Sequence, residues 1–208
     1  MYLGSVLYRL RLSGFADVDR LAAAMGGSSE ATAKELDGLA ARGWARFRDG
    51  RAVGVASGWS LTPAGRVEAD RRLAAELDRA GCRPAVEAAY RRFLMLNRRL
   101  LEAVTDWQVR DGVVNDHTNA DHDQRILDQL GRISEKISPV LSDLAACYDR
   151  YDRYRVRLDA ALEQAQAGDT AYVDGALIDS YHSVWFELHE DLLATLGLDR
   201  SHETTEVL

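Results

Sequence analysis

Only 3 of the 208 residues are proline and only 2 are cysteine. So little proline, beside 47% hydrophobic residues, excludes a collagen and a disordered chain. Cys82 and Cys147 are too few for a disulfide miniprotein, and at 65 positions apart they fit no metal or redox spacing. They read as reduced, buried thiols of a cytoplasmic protein. No apolar run approaches the roughly 18 residues that span a bilayer, so no membrane partner is expected. The opening Met1-Tyr-Leu-Gly-Ser-Val-Leu-Tyr-Arg9 lacks a basic segment, an apolar core and a small-residue cleavage site, which argues against secretion. Nucleophile elbow, phosphate loop, paired-cysteine motif and His-Glu-x-x-His are all missing, so an enzyme is not expected, nor a cofactor or a metal.

What is present begins with charge. The net charge of -7 is unevenly spread: residues 1–81 carry +2 and residues 82–208 carry -9. Between positions 42 and 72 seven arginines stand against three acids. A basic first half beside an acidic second half suggests nucleic-acid contact by the former. The length allows one to two domains, each with an adequate core.

The first half carries strong local signals. Leu3 to Leu12 has helical periodicity and Ser13-Gly14 ends it; Asp17 then caps a short helix from Val18 to Met25. Gly26-Gly27 makes a tight turn. Ser28 or Ser29 caps the next helix, which runs to about Arg42 and stops at Gly43. Trp44 to Phe47 alternates like a strand, Asp49-Gly50 reads as a hairpin turn, and Arg51 to Leu61 returns. Thr62-Pro63 opens a further helix with a capping residue and a proline in its first turn.

Leu21-Ala22, Gly26, Ser28, Leu36, Leu39, Ala41-Arg42-Gly43 and the run Leu61-Thr-Pro-Ala-Gly-Arg66 resemble the winged helix-turn-helix of MarR-like transcription regulators over about residues 3–80. The resemblance implies a double-stranded DNA partner and a homodimer. Because the first helix begins near residue 3, the dimer is expected from the second half. The second helix of the motif would enter the major groove with Ser28, Ser29, Ala31 and Lys34 foremost. Arg46, Arg48 and Arg51 would flank the wing tip, with Arg42 and Arg66 on phosphates. Glu30, Glu35 and Asp37 on or near the reading helix imply thin direct base readout. An ordinary solvated arginine surface is the other reading.

Residues 82–208 read as an all-helical bundle, making the fold class mainly α with a small β-hairpin wing. The expected helices are Arg83 to Arg110, Ala120 to Ile137, Val140 to Ala167 and one from Asp169 or Thr170 to Gly197, with a polar loop over 111–119 and a break at Ser138-Pro139. Asn115-Asp-His117-Thr-Asn-Ala-Asp-His122-Asp123 is either a metal loop or a helix start capped by Thr118 or Asn119. The capping reading is favoured because the EF-hand positions are wrong. In the last helix Ile178, Tyr181, Trp185, Leu188, Leu192 and Leu196 form one stripe. His182 and His189 lie at its edge, and Glu187 and Asp191 face away. Tyr181, His182, Trp185 and His189 line either a core or a small-molecule effector pocket. Tyr151 and Arg155, from a tyrosine–arginine patch that also includes Tyr148, Tyr154, Arg153 and Arg157, and Trp107 and His117 are further candidates for it. The expected function is a cytoplasmic, dimeric, repressor-type transcription regulator. A protein-interaction adaptor is the alternative, and a metal enzyme using His117, His122, His182 and His189 a remoter one.

Overall fold

A computed structural model of the chain describes residues 5–50 and 56–198. Among them are nine α-helices and two small antiparallel sheets. The chain divides into two compact units. The first comprises the described residues within Met1–Gly81 and Glu190–Leu208, the second Cys82–His189. Residues 190–198, expected with the second half, therefore group with the first.

In the first unit α1 spans Val6–Ser13, α2 Val18–Met25, α3 Ser29–Ala41 and α4 Pro63–Ala80. The local signals act as their chemistry requires. Asp17 accepts from the Arg20 N–H at 2.7 Å, Ser28 Oγ from Ala31 at 3.2 Å and Thr62 Oγ1 from Gly65 at 3.1 Å, each pairing an N–H that its helix leaves open. Gly26 ends α2 at a φ of 65°, and Gly43, at 71°, lets the chain leave α3 through paired bonds from Gly43 and Trp44 to the Ala40 and Leu39 carbonyls.

Strands β1 (Ala45–Arg48) and β2 (Gly58–Leu61) pair with Phe47 opposite Trp59 and Arg48 opposite Gly58. Of the return expected from Arg51 to Leu61, residues 51–55 lie outside the described residues, and the described strand covers Gly58–Leu61. The tie across the hairpin is the Ser57 hydroxyl, bonded to the Asp49 carboxylate and the Gly50 N–H, both at 3.0 Å. Ala16 adds a third short bridge through Trp59, and a side chain at Gly58 would collide with the Phe15 ring and Ala16 backbone. Val6, Leu7, Leu10, Leu21, Leu36 and Leu39 form the core under this sheet.

The second unit contains α5 (Arg83–Gln108), α6 (Ala120–Ala145), α7 (Asp152–Gln166) and α8 (Ala171–Asp174), and α9 (Tyr181–Leu196) begins in it. Three expectations need correction. Helix α6 continues through Pro139 and ends at Ala145, so the helix expected from Val140 to Ala167 is divided, its later part restarting as α7 at Asp152. Proline inside a helix costs about 3 kcal/mol, but beyond it Val140, Leu141 and Leu144 are buried, each worth about 1.5–3 kcal/mol. Burial wins, and Pro139 sits on the exposed face. The loop after α5 holds a two-stranded ribbon, β3 (Val109–Arg110) with β4 (Val113–Val114), turned by Asp111 and Gly112 at φ of 53° and 80°. The last long helix begins at Tyr181, not near Thr170. Gly175 breaks the chain after one turn of α8, and Ser180 Oγ accepts from the Ser183 N–H at 3.2 Å to start α9.

Candidate functional site

The basic candidates of the first unit are outward-facing. Ser28, Ser29, Ala31, Lys34, Arg42, Arg46, Arg48 and Arg66 are all exposed, while Arg51 lies outside the described residues. Helix α3 buries Thr32, Leu36 and Leu39, which leaves Glu30, Lys34, Asp37 and Ala41 on its open side. Glu35 is not on that side. Its carboxylate accepts the Val6 N–H at 3.0 Å and caps the first turn of α1, so one of the three acids counted against base readout has a structural task. Ser29 is engaged too, donating to Asp19 at 2.6 Å and tying α2 to α3.

Along β1, Arg46 lies opposite Ser60 with its Nε 3.4 Å from the Ser60 hydroxyl. Arg48 stacks over Phe15 at 4.6 Å, and Phe47, half exposed, tilts against Trp59. Trp44 has two guanidinium partners, Arg42 at 4.9 Å and Arg72 at 5.0 Å. Arg72 also bonds Glu68 at 2.6 Å, and Arg71 joins the same carboxylate at 2.8 Å. The Arg71 hydrogen bond, aided by Arg72 and opposed by desolvation, pulls Glu68 down to about 2. Arg71 and Arg72 were not among the sequence candidates. The two arginines on Trp44 are thirty residues apart, and no local pattern joins them.

Beneath this surface Arg11 bonds Asp70 at 2.8 Å and Glu190 at 3.1 Å, and Tyr8 donates to Asp191 at 2.6 Å. Burial lowers the Arg11 pKa, but the two carboxylates outweigh it and leave it raised; burial raises Asp70 despite Arg11. Asp191, expected to face away from the apolar stripe, is fully buried and also accepts from the Thr195 hydroxyl. The last turns of α9 are buried all round, so a helix-wheel stripe misplaces this residue.

The effector candidates occupy three sets of contacts. Tyr181, Trp185 and His189 lie along α9, where Trp185 stacks on Phe93 at 5.0 Å and donates to Asn97, and His189 packs against Tyr90 and Phe93. The Tyr181 hydroxyl pairs with Ser134 at 2.9 Å, and burial raises its pKa against that bond. His182 beside them is half-buried; desolvation lowers its pKa, with Asp174 opposing. The Trp107 ring, buried, meets His117 at 4.5 Å. Tyr151 packs on Tyr154 under Arg150 and Arg153, while Arg155 is exposed beside Asp152 at 3.8 Å. In the same patch Arg157 binds Asp179 and Glu187, both at 2.8 Å, and Arg153 binds Glu187, so carboxylates of the chain itself meet these guanidiniums.

The Asn-Asp-His run forms a structured cap. Asn119 Oδ1 accepts from the His122 N–H at 3.0 Å. Buried Asn115 donates to the Trp107 carbonyl and to Asp123, both at 3.0 Å, and His117 Nδ1 lies 3.0 Å from Asp123. His117 adopts a φ of 56° to do so. His122 instead reaches the Asp106 carbonyl at 2.9 Å. Among the described residues no three His, Cys, Asp or Glu side chains form a metal-binding group. None of the helices described is long and apolar enough to cross a membrane.

No protein-family model, curated protein or solved structure matches this chain. The chemistry of its own surfaces is what bears on function.

Proposed function

We propose that the protein is a double-stranded DNA-binding transcription regulator whose first unit acts as a winged helix. The observation that carries this reading is the order α2, glycine turn, α3, two-stranded ribbon, α4, with Arg46 and Arg48 exposed on the first ribbon strand. The open N-terminus of α3, with Ser28 and Lys34, enters the major groove, and the ribbon lies on the backbone. The open side of α3 bears Glu30 and Asp37 beside its one lysine. Affinity therefore rests on arginine–phosphate contacts more than on base edges, with Arg42 and Arg72 at Trp44 extending the basic surface.

The reading extends to a homodimer built by the second unit, where Met95, Leu101, Val113 and Val114 are exposed. A small-molecule effector acting on that unit would alter DNA affinity only through a difference in its own affinity for two arrangements of the dimer. The second reading, a protein-interaction adaptor, is favoured by the acidic open side of α3 and by half-exposed Phe47.

Selection from random duplexes at near-physiological salt separates the two. Enrichment of an inverted repeat with half-sites one helical turn apart supports the regulator, and no enrichment supports the adaptor. Arg46→Ala with Arg48→Ala should lower the slope of log affinity against log salt by about 2, at roughly 0.9 per phosphate contact. An unchanged slope removes the ribbon from the interface.

A further inference from the structure

Cys82 and Cys147 have no relation in the sequence, and both are half-buried free thiols. The register of two antiparallel helices brings them together. The Asp106 carbonyl of α5 meets His122 of α6, and the Arg99 carbonyl meets Gln129, seven residues back on one helix and seven forward on the other. Carried on by that rule, Cys82 falls opposite position 146, one residue from Cys147. Cys82 is accordingly the neighbouring group that acts on the Cys147 thiol. Cys82 is the N-cap residue of α5 and makes no side-chain capping bond, while Cys147 follows the end of α6.

We propose that Cys82 and Cys147 are a reversible thiol–disulfide pair, oxidised by a hydroperoxide, that fastens the start of α5 to the end of α6. In the first step one sulfur attacks the peroxide oxygen and the O–O bond breaks. The sulfur becomes a sulfenic acid, and the rest of the peroxide leaves as an alcohol, or as water from hydrogen peroxide. In the second step the other sulfur displaces the sulfenic hydroxyl, which departs as water with the thiol proton, and the S–S bond forms. Two thiols lose two hydrogens and two electrons, and one hydroperoxide is reduced. Burial, then the neighbouring Cys82, pushes the Cys147 thiol up to about 11. Reduction by a small thiol reverses the change through a mixed disulfide.

The test uses the reduced full chain, treated with hydrogen peroxide, alkylated and mapped by mass spectrometry without reduction. The expected product is lighter by two hydrogen atoms, carries a peptide linked through Cys82 and Cys147, resists alkylation and returns to the dithiol in reduced glutathione. Two freely alkylated thiols, sulfinic acid without the linked peptide, or a link that persists in excess glutathione would each overturn the proposal. A second measurement needs no disulfide. With its partner removed in Cys147→Ser or Cys82→Ser, the sulfur that attacks the peroxide should be trapped as a dimedone adduct, and the absence of an adduct in both variants would overturn the proposal.

Discussion

Replacing Gly65 by alanine tests why the run Thr62-Pro-Ala-Gly65 has the residues it has. A Cβ at Gly65 would lie 1.9 Å from the Trp44 carbonyl oxygen, where real contacts begin at about 3.0 Å. Helix α4 and the start of β1 must then part by more than about 1 Å, and that oxygen is also the acceptor of the Thr62 N–H at 2.9 Å. The neighbouring bond from Thr62 Oγ1 to the Gly43 carbonyl, at 2.6 Å, is pulled by the same movement. Two hydrogen bonds at about 1 kcal/mol each and overpacking strain of about 1–3 kcal/mol oppose at most about 1 kcal/mol of helix propensity gained by alanine. The net loss is about 2–4 kcal/mol, or roughly 30- to 1,000-fold in the folding equilibrium of the first unit. Urea unfolding followed by amide exchange over residues 58–73 reads this directly. Gly38→Ala in α3 is the control, since its nearest neighbour is the Arg42 side chain at 3.8 Å. That substitution should stabilise by about 0.5–1 kcal/mol. If Gly65→Ala proves as harmless as its control, the close approach of Trp44 is not what selects glycine here.

Two further perturbations concern the second unit. Pro139→Ala restores an N–H in the middle of α6 on its exposed face, and it should raise stability by about 1–3 kcal/mol in chemical denaturation; a loss of stability would show that the proline is packed rather than tolerated. The half-buried His182 has its pKa lowered by desolvation from 6.5, so the folded chain binds fewer protons at this ring than the unfolded one. Its share of stability is complete above 6.5 and is lost as the pH falls from there through the lowered value. His182→Asn should flatten the fall in thermal midpoint over that window, and an unchanged pH profile would remove the residue from the balance.

Elements marked by a cap at one end and a glycine at the other were legible in the sequence, because those signals act within one turn. Asp17, Ser28 and Thr62 each start a helix where their side chains suggest, and Gly26 and Gly43 turn the chain where only glycine does so readily. The exposure of Lys34, Arg46 and Arg48 was legible as well, since arginine and lysine at unburied positions of a periodic pattern stay exposed. What escaped depends on partners distant in sequence. Pro139 obeys the buried stripe around it, Asp191 is buried because Tyr8 supplies a donor 183 residues away, and Glu35 turns inward to an unpaired N–H of α1. The effector candidates share polarity and aromaticity but not a location, and composition does not report location. Ser180 was a readable signal, a capping residue directly before the apolar run of α9, overshadowed by the equally good capping residues at 169 and 170.

The membership of residues 190–196 in the first unit bears on the order of events during synthesis. Ala194 shares a core with Tyr8, Leu12 and Leu73, and Asp191 and Glu190 answer Tyr8 and Arg11. A ribosome that has released Gly81 has made every helix of the unit's N-terminal part but not the segment that closes it. At about 5–20 residues per second, that segment follows roughly 5–20 s later. Until then the nascent chain carries an open apolar seam and a guanidinium met by Asp70 alone, the kind of surface that chaperones hold. The second unit, continuous in sequence, is free to finish first.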